Sequence, residues 1–148
     1  MDISTIRRSV VAVRASVPDD AFTANTLGTL REGSGVVISP KGLVLTIGYL
    51  ITEADEVWLT RHDGKVVAGH ALAYDQETGF GLIQALAPLE LPALDIGSSA
   101  SAKIGDQVAV IDGAGQFGDC YIVAKQEFAG YWEYLLDEAI FTAPAHPS

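Results

Sequence analysis

Few side chains in this chain combine a type and a spacing that could do chemistry. The three histidines, His62, His70 and His146, share no zinc-ligand spacing, so no metal site is expected. His62 falls in a turn and His70 within a strand, where plain surface placement is the simpler reading. Cys120 stands alone, forms no internal disulfide, and reads as a small buried hydrophobe rather than a nucleophile. Gly113-Ala114-Gly115-Gln116-Phe117-Gly118 spells Gly-x-Gly-x-x-Gly directly after the apolar run Val108 to Ile111, and Asp137 follows where a ribose-binding acid would. That pattern holds a dinucleotide only if a helix opens at its third glycine, because the helix amides bind the pyrophosphate. Asp119-Cys120-Tyr121-Ile122-Val123 reads as a strand instead, so no cofactor is expected and dinucleotide binding through Gly113–Gly118 is kept only as an alternative.

The elements that must position these residues are short strands. Val10 to Ala15 is the first, and Ser16 to Leu30 reads as a loop rich in Asp, Thr, Asn and Gly. Val36 to Ile38 and Leu43 to Leu45 flank Ser39-Pro40-Lys41-Gly42, a type I turn signature because proline pre-sets φ at its corner. Glu56 to Thr60 carries Val57 and Leu59 on one face and Trp58 on the other, and Asp63-Gly64 turns the chain into Val66 to Ala73. Phe80 to Ala85 and Gln107 to Ile111 follow, with the glycine-rich segment read as a connection between barrels. Tyr121 to Ala124, an Ala129-Gly130 link, Trp132 to Leu136 and Ala139 to Thr142 complete the pattern. Helical spacing is confined to Asp2 to Arg8, so regular short strands with turn signals predict an all-β barrel or sandwich.

In colinear order the motifs resemble a trypsin-like serine protease domain of the HtrA/Deg type. Gly33-Ser34-Gly35, the Pro40–Gly42 turn and Thr46-Ile47-Gly48-Tyr49 match the hairpin that delivers the catalytic histidine shortly after a threonine. Val57 to Val67 matches the strand–Asp-Gly–strand unit that follows it. Asp75-Gln76-Glu77-Thr78-Gly79-Phe80-Gly81-Leu82-Ile83 is similar to the stretch Asp-x-x-Thr-Asp-Leu-Ala-Val-Leu, whose second Asp is catalytic. Leu91-Pro92-Ala93-Leu94-Asp95-Ile96-Gly97 and Lys103 to Asp112 match the next two family patterns. The resemblance implies a chymotrypsin-like double β-barrel. Residues 1–118 would form the complete first barrel and 119–148 the first strands of a partial second.

The same alignment implies that catalysis is lost. Tyr49 occupies the histidine position, and a phenol, protonated at neutral pH, is a poor general base. Gly79 occupies the place of the orienting aspartate and has no side chain. Asp75, four residues earlier, is expected to hold its own turn. Ala143-Pro144-Ala145-His146-Pro147-Ser148 is read as stopping short of the nucleophile, which would lie beyond Ser148. No catalytic residue is therefore expected to be intact. The first reading is a non-catalytic protease homologue that binds a protein or peptide, and its alternative is a fragment of an active endopeptidase.

Composition limits the partners. With 49% hydrophobic and 19% charged residues among 148, the chain has a real core and is not disordered. A net charge of −10 repels nucleic acid and anionic membrane surfaces, and the longest apolar run, Gly42 to Ile51, is too short to span a bilayer. Beyond Ile104 the sole basic residue is Lys125, against seven acids, which reads as a solvated face. Phe128, Tyr131, Trp132, Tyr134 and Phe141 are expected to form half of the second barrel's core, which self-association would cover. No signal peptide is read in the chain. The resemblance points to the bacterial periplasm or cell envelope if a leader has been removed.

Overall fold

Period-two alternation writes the inward face of a small barrel. In β1 (Val10–Ser16), Val11, Val13 and Ala15 are buried while Arg14 faces solvent. A computed structural model describes residues 3–21, 29–130 and 134–143. A short helix, α1 (Ile3–Arg8), precedes β1; then come β2 (Leu30–Ser39), β3 (Leu43–Ile47), β4 (Glu56–Thr60), β5 (Val66–Tyr74) and β6 (Phe80–Ala85). These six strands close in the order β1-β2-β3-β6-β5-β4, every pairing antiparallel, with β4 returning to β1. Closure leaves this sheet no exposed edge.

The interior is filled by side chains from all six strands, with Val37, Val44, Leu59 and Ile83 each at most 1% exposed. Gly33 and Gly35 lie on the inward register of β2, where Leu50 and Val44 fill the space a Cβ would need, 2.6 and 2.7 Å away. The Ser39–Gly42 turn forms as its residues require: the Gly42 amide donates to the Ser39 carbonyl (3.0 Å) and the Lys41 amide to Ser39 Oγ (3.2 Å). Trp58 is 39% exposed between buried Val57 and Leu59, the alternation expected of that strand.

A long connection leaves Ala85 and is strapped to the barrel. Ser9 Oγ donates to the Pro92 carbonyl (2.7 Å), Arg61 Nη1 to that of Leu89 (2.9 Å), and the Leu94 amide to that of Val37 (2.8 Å). Beyond it, β7 (Gln107–Ile111), β8 (Phe117–Gly130) and β9 (Tyr134–Ala143) form a three-stranded antiparallel sheet. The architecture is thus all-β, one closed barrel and the strands of a second sheet, as a chymotrypsin-like double barrel demands.

Three local expectations change. Gln107 to Ile111, read with the first barrel, pairs with β8 and belongs to the second sheet. The segment 113–118 is therefore the β7–β8 hairpin rather than a connection between barrels. Asp112 Oδ1 accepts the amides of Ala114 (3.0 Å) and Gln116 (2.9 Å), an Asx-type closure, and Phe117 to Gly130 continues as strand. With a strand where the pyrophosphate motif needs a helix, its anion-holding amides are missing. Ala129 and Gly130 are not a link either; they sit in β8 opposite Leu135 and Tyr134, so β8 and β9 are each one long strand, with register shifts near residues 122–124 and 126–128. Tyr131 and Trp132 of the aromatic group lie outside the described residues.

Candidate functional site

The end of β3 runs into a single 3-10 turn, Gly48–Leu50, and this turn carries Tyr49. Packing and hydrogen bonds fix it. Leu50 is fully buried beneath Gly33, and the Tyr49 side chain is partly buried against the barrel core. Thr52 Oγ1 donates to the Gly48 carbonyl at 2.9 Å, and the Ile51 amide donates to the same oxygen at 3.0 Å. Arg31, only 3% exposed on the inward register of β2, donates through Nη1 to the carbonyls of Tyr49 (2.8 Å) and Thr52 (2.7 Å). Burial lowers the Arg31 pKa from its ordinary value, and the Glu53 carboxylate opposes that shift. A buried charged donor thus holds carbonyls that the 3-10 turn leaves unpaired.

Gly79 closes the turn between β5 and β6. Its amide donates to the Asp75 carbonyl at 2.8 Å, and its φ of +80° lies in the left-handed region that favours glycine. The Asp75 carboxylate is engaged within this turn, accepting the Glu77 amide (3.1 Å) and the Thr78 hydroxyl (2.8 Å), which is the local role expected of it. The structure brings the two sequence-predicted positions together: the Gly48 amide, adjacent to Tyr49, donates to the Gly79 carbonyl at 2.5 Å. The Tyr74 ring covers Gly48 so closely that a Cβ there would lie 2.1 Å from two ring carbons. The Tyr74 hydroxyl is buried with no hydrogen-bond partner among the described residues.

Ile47 and Phe80 flank this junction as cross-strand partners and are 37% and 48% exposed. Phe80, Val36, Leu45 and Ile111 line a shallow, mostly apolar cleft of 260 Å³ where the barrel meets β7. Chemically, the junction brings together the Tyr49 phenol, the Gly79 backbone and the Asp75 carboxylate, the last occupied by its own turn. An apolar cleft of this kind can hold an extended apolar segment.

The remaining candidates are dispersed. His62 is exposed in the β4–β5 hairpin and His70 is exposed on β5 opposite Gln84. Cys120 is buried in β8. His146 and Ser148 lie outside the described residues, and among those described no group of His, Cys, Asp and Glu could hold a metal ion. Sequence reasoning missed Arg31, Gly48 and Tyr74. Arg31 had a signal: it shares the odd-numbered register of Gly33, Gly35 and Val37, so a charge was written into the inward face. Tyr74 and Gly48 had none, because their contact joins segments 26 residues apart, a separation given by their numbers.

Residues 33–148 match the family described as trypsin-like peptidase domain. The chain is 32% identical over 79 residues to a probable periplasmic serine endoprotease DegP-like of Halomonas elongata, covering 53% of this chain and 16% of that protein. It is 29% identical over 87 residues to the serine endoprotease DegS of Salmonella typhimurium, covering 59% and 24% respectively. This chain thus spans less than a quarter of the length of these relatives. Two solved structures of the HtrA-type protease AlgW with tripeptide superpose with TM-scores of 0.76 and 0.67, at 20% and 21% identity. They cover 93% and 83% of this chain, and 43% and 38% of theirs. The closed barrel, the second sheet and the family match over most of the sequence agree: the chain belongs to the trypsin-like peptidase domain family, with DegP- and DegS-type proteases among its homologues.

Proposed function

We propose that this trypsin-like domain is an HtrA/Deg-type homologue that works by binding a protein or peptide segment and does not cleave it. One observation carries the reading: Tyr49 and Gly79 stand where the family pattern has its base and the carboxylate that orients it, and their turns are joined by the Gly48–Gly79 hydrogen bond. Without a base, deprotonation of a serine nucleophile has no local acceptor, and a triad-less site retains only the roughly 10³–10⁴-fold acceleration that binding and an oxyanion hole supply. The exposed Ile47–Phe80 pair and the neighbouring apolar cleft support a binding role. The name of the Halomonas relative supports placing the protein in the periplasm.

The second reading, part of an active serine endopeptidase, is favoured by the names of the relatives, which are endoproteases. Treating the native protein with a fluorophosphonate probe separates the two. The binding reading expects no adduct and no cleavage of unfolded casein, with activity appearing only after Tyr49→His combined with Gly79→Asp. An adduct and casein cleavage by the unaltered protein would overturn it.

A further inference from the structure

A second cleft lies away from this junction. It encloses 730 Å³ between α1, the β4–β5 hairpin and the β7–β8 hairpin, within the size range of small-molecule sites. In a chain of net charge −10, three of the nine Lys and Arg residues, Arg7, Arg8 and Arg61, line this one cleft together with His62. Its walls are held in place. Arg7 Nη2 donates to the Gly115 carbonyl (2.8 Å), tying α1 to the β7–β8 hairpin. The Gly113 amide donates to Ser34 Oγ (2.8 Å), tying that hairpin to β2. Ser9, at the end of α1, anchors to Pro92 (2.7 Å).

The cations are not equivalent. Arg61 is already neutralised by Asp63 at 2.7 Å and donates to Leu89, so it forms wall rather than receptor. Asp112 also lines the cleft, with one carboxylate oxygen engaged by the Ala114 and Gln116 amides. Arg7 uses one of its five N–H donors on Gly115. Arg8 is exposed and has no hydrogen-bond or ion-pair partner among the described residues, while exposed His62 makes no hydrogen bond among them and interacts electrostatically with Asp63. Two guanidinium forks from one short helix and an imidazole, lining the same held cavity, suit a ligand bearing several oxygen acceptors.

We propose that this cleft binds a small multivalent oxyanion, a polycarboxylate or a phosphate, through Arg7, Arg8 and His62. The inference is independent of whether the Tyr49–Gly79 junction is catalytic. Its test titrates the full chain with citrate and with inorganic phosphate, each against sodium chloride at matched ionic strength, by calorimetry and thermal melting. Saturable binding with Kd below about 1 mM is expected for at least one probe, and which one responds identifies carboxylate or phosphate as the group recognised. Arg8→Ala should weaken it about tenfold, the loss of a charge-assisted fork, and His62→Ala should weaken it measurably. Lys103→Ala, which removes the same charge outside the cleft, should change nothing. The proposal fails if neither probe exceeds chloride, if Arg8→Ala binds as the unaltered chain does while melting identically in chloride, or if Lys103→Ala weakens binding equally.

Discussion

The guanidinium of Arg31 donates to the backbone carbonyl of Tyr49 at 2.8 Å, so the turn that presents Tyr49 is held from inside the barrel. The same Nη1 reaches the Thr52 carbonyl at 2.7 Å. Arg31→Met would keep the stem's packing and strand both acceptors. A loss of about 2–3 kcal/mol in urea unfolding is expected. A loss under about 0.5 kcal/mol would show that water satisfies these carbonyls equally well.

Gly48 and Tyr74 form a sterically locked pair. Gly48→Ala puts a methyl group where the Tyr74 ring lies, and is expected to destabilise by about 1–3 kcal/mol. In a Tyr74→Leu background the same substitution should be markedly less damaging, a coupling that a double-mutant cycle reads directly. Additive losses would mean that the two residues do not share this space.

Tyr74→Phe tests the orphaned hydroxyl. Because that oxygen is buried without a partner among the described residues, its removal should leave stability unchanged or raise it by up to about 1 kcal/mol. A clear loss would mean that the hydroxyl is hydrogen-bonded in solution.

Gly79→Asp alone should lower stability by about 1 kcal/mol, since an L side chain at φ +80° is strained and Asp tolerates that region better than most. The double restoration proposed above therefore carries a folding penalty, to be measured by melting before any activity is compared.

Acid sensitivity should centre in part on the β4–β5 hairpin. The Lys65 amide, and then the Arg61 guanidinium, hold the Asp63 carboxyl below its ordinary value. Its stabilising contribution is complete above the unfolded-state pKa and disappears as pH falls through the lower folded-state value. Asp63→Asn should therefore flatten the acid limb of the stability curve while leaving its slope near neutrality unchanged. Identical acid limbs would show that the exposed pair contributes nothing.

Much of the fold could be read locally. β4, β6 and β7 lie where alternating Val, Leu and Ile placed them, and the Pro40–Gly42 and Asp63-Gly64 turns follow from residues whose φ preferences act within four positions. Sheet membership could not be read this way. Gln107 to Ile111 looks the same as a strand of either sheet, and its placement depended on pairing with Asp119 and its neighbours. The Gly-x-Gly-x-x-Gly string was likewise ambiguous until a partner strand was available to make it a hairpin.

The sequence by itself determined the all-β class, through periodicity and local turn chemistry, and its resemblance to the HtrA/Deg motifs singled out positions 49 and 79. Only the tertiary structure decided that Tyr49 and Gly79 share one junction, that Arg31 supports it from within, and that Tyr74 seals Gly48. The reason is physical: each of these contacts joins strands distant in sequence, and closing the barrel is what brings them within reach.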